Sequence, residues 1–180
     1  MHILAISGSA RKASTNTALL RAMQALAPAG MTLSVFDRID SLPVFSPDAE
    51  GEATPAQVLA LLAQLAAADG VIISSPEYVR AIPGGMKNAI DWMVSRDEII
   101  GKPMALVHAS HRGDDMLASL RLVLSTVSTR FFAEHFLRIG VVGKSPQEVQ
   151  EQMRAPHCAQ QVTAFLQGFA QAIRRDGQAL

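Results

Sequence analysis

The sequence contains one cysteine, no excess of charge of either sign and no apolar stretch long enough to span a membrane. Cys158 is the single cysteine in 180 residues, which excludes a framework of intrachain disulfides and fits a reducing compartment. The 16 basic residues equal the 16 acidic residues in number. Because non-specific binding to nucleic acid or to anionic membranes needs a basic surface, this balance argues against both.

The amino-terminal segment shows no basic region followed by an apolar stretch and a cleavage site, so nothing suggests secretion. A cytoplasmic location is therefore expected. The length predicts a single domain spanning residues 1–180, which is long enough to bury a sizeable core.

Several motifs of nucleotide-binding proteins and hydrolases are also absent. The sequence has no G-x-G-x-x-G, no G-x-x-x-x-G-K-[ST] and no G-x-S-x-G, and no acid/base pair or nucleophile stands out, so no catalytic residue is predicted. The spacing of His108, His111 and Asp114 could suit a metal ion, but His108 ends a buried strand pattern. No metal site is predicted.

Five strand patterns alternate with helical patterns along the chain, at residues 3–6, 32–36, 71–73, 104–107 and 135–139. The first, third and fourth are apolar on both faces, as central parallel strands are, whereas the second and fifth alternate as edge strands do. With right-handed crossovers, this pattern predicts an α/β fold, a flavodoxin-like three-layer sandwich with a five-stranded parallel sheet of order 2-1-3-4-5. A ligand would then bind where the first and third strands end.

Residue patterns typical of helix starts lie between these strands. Thr54 followed by Pro55 predicts a helix start with Thr54 as the cap, and Ser145 with Glu148 predicts a capping box. A further helix is predicted from Pro83 or Gly84 to about residue 95. The final helix is expected to bend at Pro156.

The segment 7–17, rich in hydroxyl side chains, links the first strand to the first helix. A strand, a loop and a helix in this order direct the free N–H groups of the helix start towards the strand end, where an anion could bind. Arg11 adds a planar charged group suited to phosphate, and Ser9, Ser14, Asn16 and Thr17 add neutral donors. The alternative is an ordinary helix start capped by Ser14 or Thr15, with Arg11 in solvent.

The segment 74–92, which follows the third strand, is the second informative stretch. Pro76 and Pro83 stiffen it, and Gly84 and Gly85 allow close approach of the backbone where the next helix begins. Tyr78 offers an aromatic face with a polar end.

These two segments resemble the signatures of the NADPH-dependent FMN reductases, a family that includes flavodoxin-like quinone, azo-dye and chromate reductases. The pattern G-S-x-R-x-x-S-x-N is matched from Gly8 to Asn16. The pattern S-P-E-Y-x-x-x-x-P-G-x-[LM]-K-N-A-[IL]-D-W is matched from Ser75 to Trp92.

The resemblance implies bound FMN, NADPH or NADH as co-substrate, and a homodimer or homotetramer. It implies that hydride passes from the nicotinamide to flavin N5, and that two electrons then pass to a quinone-like, azo, metal-oxyanion or free-flavin acceptor. The implied cofactor-binding residues fall in three groups. The phosphate contacts are Ser9, Arg11, Ser14, Thr15, Asn16 and Thr17; the ribityl and ring contacts are Pro76, Glu77, Tyr78 and Val79; and Ser110 lies in the loop after the fourth strand.

Two segments depart from the family pattern. Val79, Arg80 and Ala81 stand where many members carry Asn or His followed by Gly and Ser. The loop 110–115 is short and places an acid about where an arginine often stands. We expect Asp114 or Asp115 to cap the following helix; the alternative is a carboxylate close to the flavin ring.

Two further alternatives remain open at this point. The apolar stripe formed by Met86, Ile90, Trp92 and Met93 is expected to contribute to an interface between subunits, although part of it would face the sheet. The chain could also be a non-catalytic flavodoxin-like module that carries electrons, senses redox state or binds a partner. A one-electron carrier would usually have an acidic surface, which the zero net charge does not favour.

Overall fold

The computed structural model describes residues 1–94 and 96–177, in which five parallel strands form one sheet of order β2-β1-β3-β4-β5. The predicted order of strands is therefore confirmed. The strands are β1 (His2–Ser7), β2 (Thr32–Phe36), β3 (Gly70–Ser74), β4 (Met104–His108) and β5 (Phe131–Arg138).

Helices cover both faces of this sheet. The α-helices are α1 (Thr15–Ala25), α2 (Ala56–Ala67), α3 (Gly84–Val94), α4 (Asp114–Val127), α5 (Pro146–Arg154) and α6 (Pro156–Asp176). Three short 3₁₀ turns lie between β2 and α2, at Ile39–Ser41, Pro47–Ala49 and Gly51–Ala53. None of the described helices combines the length and hydropathy needed to cross a membrane.

Each face of the sheet has its own apolar core, because successive strand residues point to opposite sides. Leu4 and Ile6 of β1 pack with α2, α3 and α4, whereas Ile3 and Ala5 pack with α1, α5 and α6. This arrangement explains why β1, β3 and β4 have uninterrupted apolar sequences and why β2 and β5 alternate at the edges.

The helix signals are borne out in part. Ser145 and Glu148 form the predicted capping box of α5. At α2, however, Pro55 occupies the capping position, and the hydroxyl of Thr54 instead donates to the Gly51 carbonyl at 2.8 Å, so the prediction of a Thr54 cap is wrong. The chain does not bend at Pro156 but ends one helix and begins another there, since proline is favoured in a first helical turn.

The apolar stripe of α3 is buried within the chain. Met86, Ile90, Trp92 and Met93 are each at most 2% exposed. Trp92 lies beneath the segment that joins β2 to α2, where its indole N–H donates to the Pro43 carbonyl at 2.7 Å. The prediction that this stripe contributes to a subunit interface is therefore wrong, and association into a dimer or tetramer stays a prediction of the resemblance alone. The predicted helix end near residue 95 lies outside the described residues.

Candidate functional site

The carboxyl ends of β1 and β3 lie side by side, and the loops that follow them are in direct contact. Ser7 pairs with Ser74 in the sheet, and the N–H of Gly8 donates to the Ser74 carbonyl at 2.8 Å. A Cβ atom at Gly8 would lie 2.6 Å from Ser75 Oγ, so the close approach of the two loops requires glycine there. The segments 7–17 and 74–92 are therefore neighbours at the carboxyl ends of β1 and β3.

The loop after β1 ends at Ser14, which is the N-cap of α1. Its hydroxyl accepts a hydrogen bond from the N–H of Thr17 at 3.2 Å. The first N–H groups of any α-helix lack an intrahelical partner, and this cap satisfies only that of Thr17. The alternative of an ordinary helix cap and that of an anion site are therefore compatible, because the cap uses one of several free donors. Earlier in the loop, Ser9 Oγ accepts the N–H of Arg11 at 3.3 Å.

Hydroxyl and amide side chains join the first turn of α1 to the ends of β1 and β3. Ser7 Oγ and Thr17 Oγ1 lie 2.8 Å apart, and Ser74 Oγ donates to Asn16 Oδ1 at 2.9 Å. All four residues are buried. The first turn of α1 is consequently held in a fixed position relative to the ends of β1 and β3.

Arg11 and Lys12 are exposed in the same loop. Within residues 1–94 and 96–177, no hydrogen bond or ion pair engages the Arg11 guanidinium. The group is therefore available to an anion at the start of α1.

The loop after β3 contains a tight turn of unusual composition. Tyr78 and Ala81 form an antiparallel bridge with reciprocal hydrogen bonds of 3.2 and 3.0 Å, and the two residues between them, Val79 and Arg80, have φ angles of +53° and +57°. A turn with two positive φ angles favours Asn-Gly or similar pairs, and a β-branched residue in that region is strained. Val79 is also 98% exposed, so packing does not compensate for this strain.

Replacing Val79 by glycine should stabilise the protein. Release of the left-handed strain, about 1–2 kcal/mol, exceeds the extra conformational entropy of glycine in the unfolded chain, about 0.5–1 kcal/mol. The expected net gain of about 1 kcal/mol corresponds to a rise in melting temperature of roughly 2–4 °C for a chain of this size, measurable by calorimetry.

Val142→Gly is the matched control, because Val142 is also an exposed loop valine but its φ is not positive. This control should lower the melting temperature slightly. A lower melting temperature in Val79→Gly would contradict the assignment of strain to the turn.

Glu77 connects the loop after β3 to the start of α4. The N-cap of α4 is Gly113, which has no side chain to offer, and Glu77 Oε2 instead accepts the N–H of Met116 at 3.1 Å. A carboxylate at this position also interacts favourably with the positive end of the helix. The prediction that Asp114 or Asp115 caps α4 is therefore wrong, because a residue far away in sequence has that role.

Asp114 and Asp115 form ion pairs with arginines instead. Asp115 Oδ2 accepts from Arg80 Nε at 2.6 Å, and Asp114 pairs with Arg138 at the end of β5. The hydrogen bond from Arg80 holds the pKa of the Asp115 carboxyl below its ordinary value. The two departures from the family pattern, at residues 80 and 115, thus contact each other.

Glu77→Ala should lower the melting temperature of the flavin-free protein by several degrees, because the loss of a helix cap costs about 0.5–2 kcal/mol. Asp115→Ala should leave it nearly unchanged, because Asp115 and its partner Arg80 are 52% and 81% exposed and exposed pairs contribute little. Thermal unfolding followed by circular dichroism compares the two variants. A larger loss in Asp115→Ala than in Glu77→Ala would restore the original assignment of the cap.

His108 ends β4 and is almost completely buried, at 1% exposed. Its Nε2 lies 2.5 Å from the carbonyl oxygen of Arg112, and its Nδ1 is buried without a hydrogen-bond partner among the described residues. Burial lowers the pKa of the imidazole below its ordinary value. Gly113 packs against this ring with a φ of +96°, and a Cβ atom there would lie 2.7 Å from Nε2.

A cleft of about 260 Å³ opens between these loops. It is lined by Thr15, Asn16, Ser75, Pro76, Glu77, His108, Ala109, Ser110, Arg112, Gly113 and Val142. Of the residues predicted to bind a cofactor, five line the cleft: Thr15, Asn16, Pro76, Glu77 and Ser110. The other six do not line it: Ser9, Arg11, Ser14, Thr17, Tyr78 and Val79.

Sequence reasoning did not single out several residues of this cleft. Arg112 and Gly113 entered only as members of the loop 110–115, Val142 has no distinctive sequence context, and His108 was considered only as a metal ligand. One signal was available, because a histidine at the carboxyl end of a central strand is placed where ligands bind in this fold. Among the described residues, no group of three or more His, Cys, Asp and Glu side chains is arranged to hold a metal ion.

Comparison with solved structures supports the same fold. The flavoenzyme NAD(P)H:(acceptor) oxidoreductase FerB from Paracoccus denitrificans superimposes with a TM-score of 0.74, with 97% of each chain covered and 25% sequence identity. A structure of RosB covers 99% of this chain and 81% of its own, with a TM-score of 0.67 at 12% identity, which is evidence for the fold alone.

Comparison with curated sequences identifies relatives along most of the chain. A quinone reductase of Escherichia coli strain K12 is 33% identical over 175 residues, which are 92% of this chain and 93% of that protein. An NAD(P)H-dependent FMN reductase of Pseudomonas aeruginosa is 37% identical over 110 residues, which are 60% of this chain and 59% of that protein. Residues 1–141 match the family described as NADPH-dependent FMN reductase. The chain therefore belongs to the NADPH-dependent FMN reductase family, as its two sequence signatures predicted, and this is a family of flavin oxidoreductases.

Proposed function

We propose that this chain binds FMN and transfers two electrons from NADPH or NADH to a quinone-type acceptor. The observation that carries the proposal is the cleft at the ends of β1, β3 and β4, which has the start of α1 at one side and the stiffened loop after β3 at the other. Because the chain belongs to a family of flavin reductases, FMN is the ligand that we assign to this cleft.

The residues of the cleft and of the adjoining loop after β1 fit FMN. The free N–H groups of α1 and the Arg11 guanidinium suit a phosphate that carries about two negative charges. The Ser110 hydroxyl suits a chain of hydroxyl groups. Gly8 and Gly113 allow the loops around the cleft to pack closely, because a Cβ atom at either position would collide with Ser75 or His108.

The proposed contacts divide into three sets. For the phosphate they are Ser9, Arg11, Ser14, Thr15, Asn16 and Thr17. For the ribityl chain and the ring they are Pro76, Glu77, Tyr78, Val79 and Ser110. Ser14 and Thr17 would act through the helix start that they stabilise, since their side chains are already bonded within the protein.

The protein's part in the reaction is binding and orientation. When bound, FMN would supply the redox chemistry, taking up a hydride from the nicotinamide at N5 and passing two electrons to the acceptor. The ion pair between Arg11 and the phosphate would anchor one end of the cofactor. Tyr78, 53% exposed in the loop after β3, would offer an aromatic surface beside the ring.

A quinone is the acceptor that the relatives favour over azo compounds, metal oxyanions and free flavin. Besides the E. coli quinone reductase, a 2-hydroxy-1,4-benzoquinone reductase of a Burkholderia species is 36% identical over 113 residues. One site used in turn by donor and acceptor predicts ping-pong kinetics.

The visible spectrum of the purified protein tests the proposal. Bands of bound oxidised flavin should bleach on addition of NADPH or NADH under argon and return on addition of a benzoquinone. Bands that dithionite bleaches but neither nicotinamide does would indicate the alternative, a non-catalytic electron-transfer or sensing module. A protein that binds no added FMN would contradict the proposed function and favour a module that only binds a partner.

A further inference from the structure

His108 lies on the floor of the cleft, on the side of the sheet covered by α3 and α4. Met104 and Leu106 of β4 pack in the core on that side, and His108 shares their orientation because it follows Leu106 by two residues. It lines the cleft together with Ser75 and Glu77. Only 1% of the surface of His108 is exposed to solvent.

The hydrogen bond of Nε2 fixes the position of the proton on this ring. The Arg112 carbonyl oxygen 2.5 Å away can only accept, so Nε2 carries the hydrogen. A neutral imidazole protonated at Nε2 has an unprotonated Nδ1, which is an acceptor. The lowered pKa of His108 is consistent with the neutral form.

Nδ1 is thus a buried acceptor that no described residue satisfies. Buried polar atoms nearly always have partners, and the loss of a partner is costly. The atom belongs to a residue that lines the cleft, and a hydroxyl of a ligand that extends to the ring would provide the missing donor. The cleft is also lined by Ser75 and Ser110, whose hydroxyl groups suit a polyhydroxyl chain.

We propose that Nδ1 of His108 accepts a hydrogen bond from a hydroxyl group of the ribityl chain of bound FMN. This inference rests on the proposed binding of FMN. It gives His108 two simultaneous contacts: Nε2 holds the loop after β4 through Arg112, and Nδ1 holds the cofactor. One ring thereby sets the distance between that loop and the ribityl chain.

Nitrogen NMR of the full-length protein with ¹⁵N-labelled histidine tests the contact directly. The flavin-free protein should show an unprotonated Nδ1 for His108, assigned by its loss in His108→Gln. Addition of FMN or riboflavin should shift this resonance upfield, as acceptance of a hydrogen bond does, and lumiflavin, which lacks the ribityl chain, should not shift it. An equal shift with lumiflavin would overturn the assignment of the donor to the ribityl chain.

Failure of this inference can be distinguished from failure of the proposed function. If the protein turns yellow with FMN and the His108 resonance does not move, the contact is wrong and the proposed function stands. If no flavin binds at all, both are wrong.

Affinities of His108→Gln for three flavins provide a second readout. The glutamine amide nitrogen can replace Nε2 as donor to the Arg112 carbonyl while the acceptor at Nδ1 is lost. Dissociation constants for FMN and riboflavin should rise about 3- to 10-fold, the usual effect of one neutral hydrogen bond, and that for lumiflavin should not change. An equal loss for all three flavins would mean that His108 only supports the loop, and the proposal would be overturned.

Discussion

Replacing Arg11 by alanine is expected to weaken the binding of FMN about tenfold to a hundredfold. The guanidinium is exposed beside the start of α1 and is not engaged by any described residue, so a phosphate at that helix end would be its partner. A charge-assisted hydrogen bond to such a group contributes roughly 1.5–3 kcal/mol. Titration of flavin-free protein with FMN, followed by quenching of flavin fluorescence, measures the loss.

Lys12→Ala is the matched control for this prediction. Lys12 is the next residue and is equally exposed, but its point charge lacks the planar geometry of the guanidinium. We expect it to alter FMN affinity much less. Riboflavin, which has no phosphate, should bind wild type and Arg11→Ala alike. An unchanged FMN dissociation constant in Arg11→Ala, or riboflavin binding as tightly as FMN, would place the phosphate elsewhere.

Replacing Trp92 by alanine is expected to have the largest effect on stability. The side chain is fully buried, its ring packs edge-to-face with Phe45 at 5.1 Å, and its N–H donates to the Pro43 carbonyl. Removal of so large a buried side chain costs about 3–5 kcal/mol. The melting temperature should fall by roughly 6–20 °C at 2–4 °C per kcal/mol.

Trp92→Phe keeps an aromatic ring in the buried site but removes the N–H and part of the indole volume. Its loss of stability should be well below that of Trp92→Ala. Hydrogen exchange at Phe45 should accelerate in Trp92→Ala, since the N–H of Phe45 donates to Asn88 Oδ1 on the same helix. A fall of less than about 2 °C in Trp92→Ala would refute the view that this residue anchors the segment between β2 and α2.

The order of the strands could be predicted because it depends on burial, which residue types record locally. Val71 and Ile73 must be covered on one face and Ile72 on the other, and only a central strand meets that condition. The position of the cleft followed from the same order. The bounds of β5 were harder to predict, because its burial pattern is only partly alternating. Its pairing with β4 also changes register between Met104 and Leu106 of β4.

The contacts between loops could not be predicted, because they join residues far apart in sequence. Glu77 caps a helix that begins 37 residues later, and nothing in the sequence near Gly113 indicates that the cap comes from elsewhere. The positive φ angles of Val79 and Arg80 are also hidden, since neither residue type favours them. The stripe on α3 was misinterpreted because a helix can be covered by a segment without regular structure as well as by a sheet.

The ion pair between Arg80 and Asp115 has a consequence for how these loops diverge among relatives. An arginine in place of Asp115 would put two positive charges side by side while Arg80 remained, so exchange of one favours exchange of the other. We expect the two positions to covary: relatives with arginine on the first turn of α4 should carry a neutral or acidic residue at position 80, and those with aspartate there should carry a cation. Homologous sequences aligned at these two columns would show this as paired substitutions, and the ancestry of the pair could be traced by the order in which its two members arose.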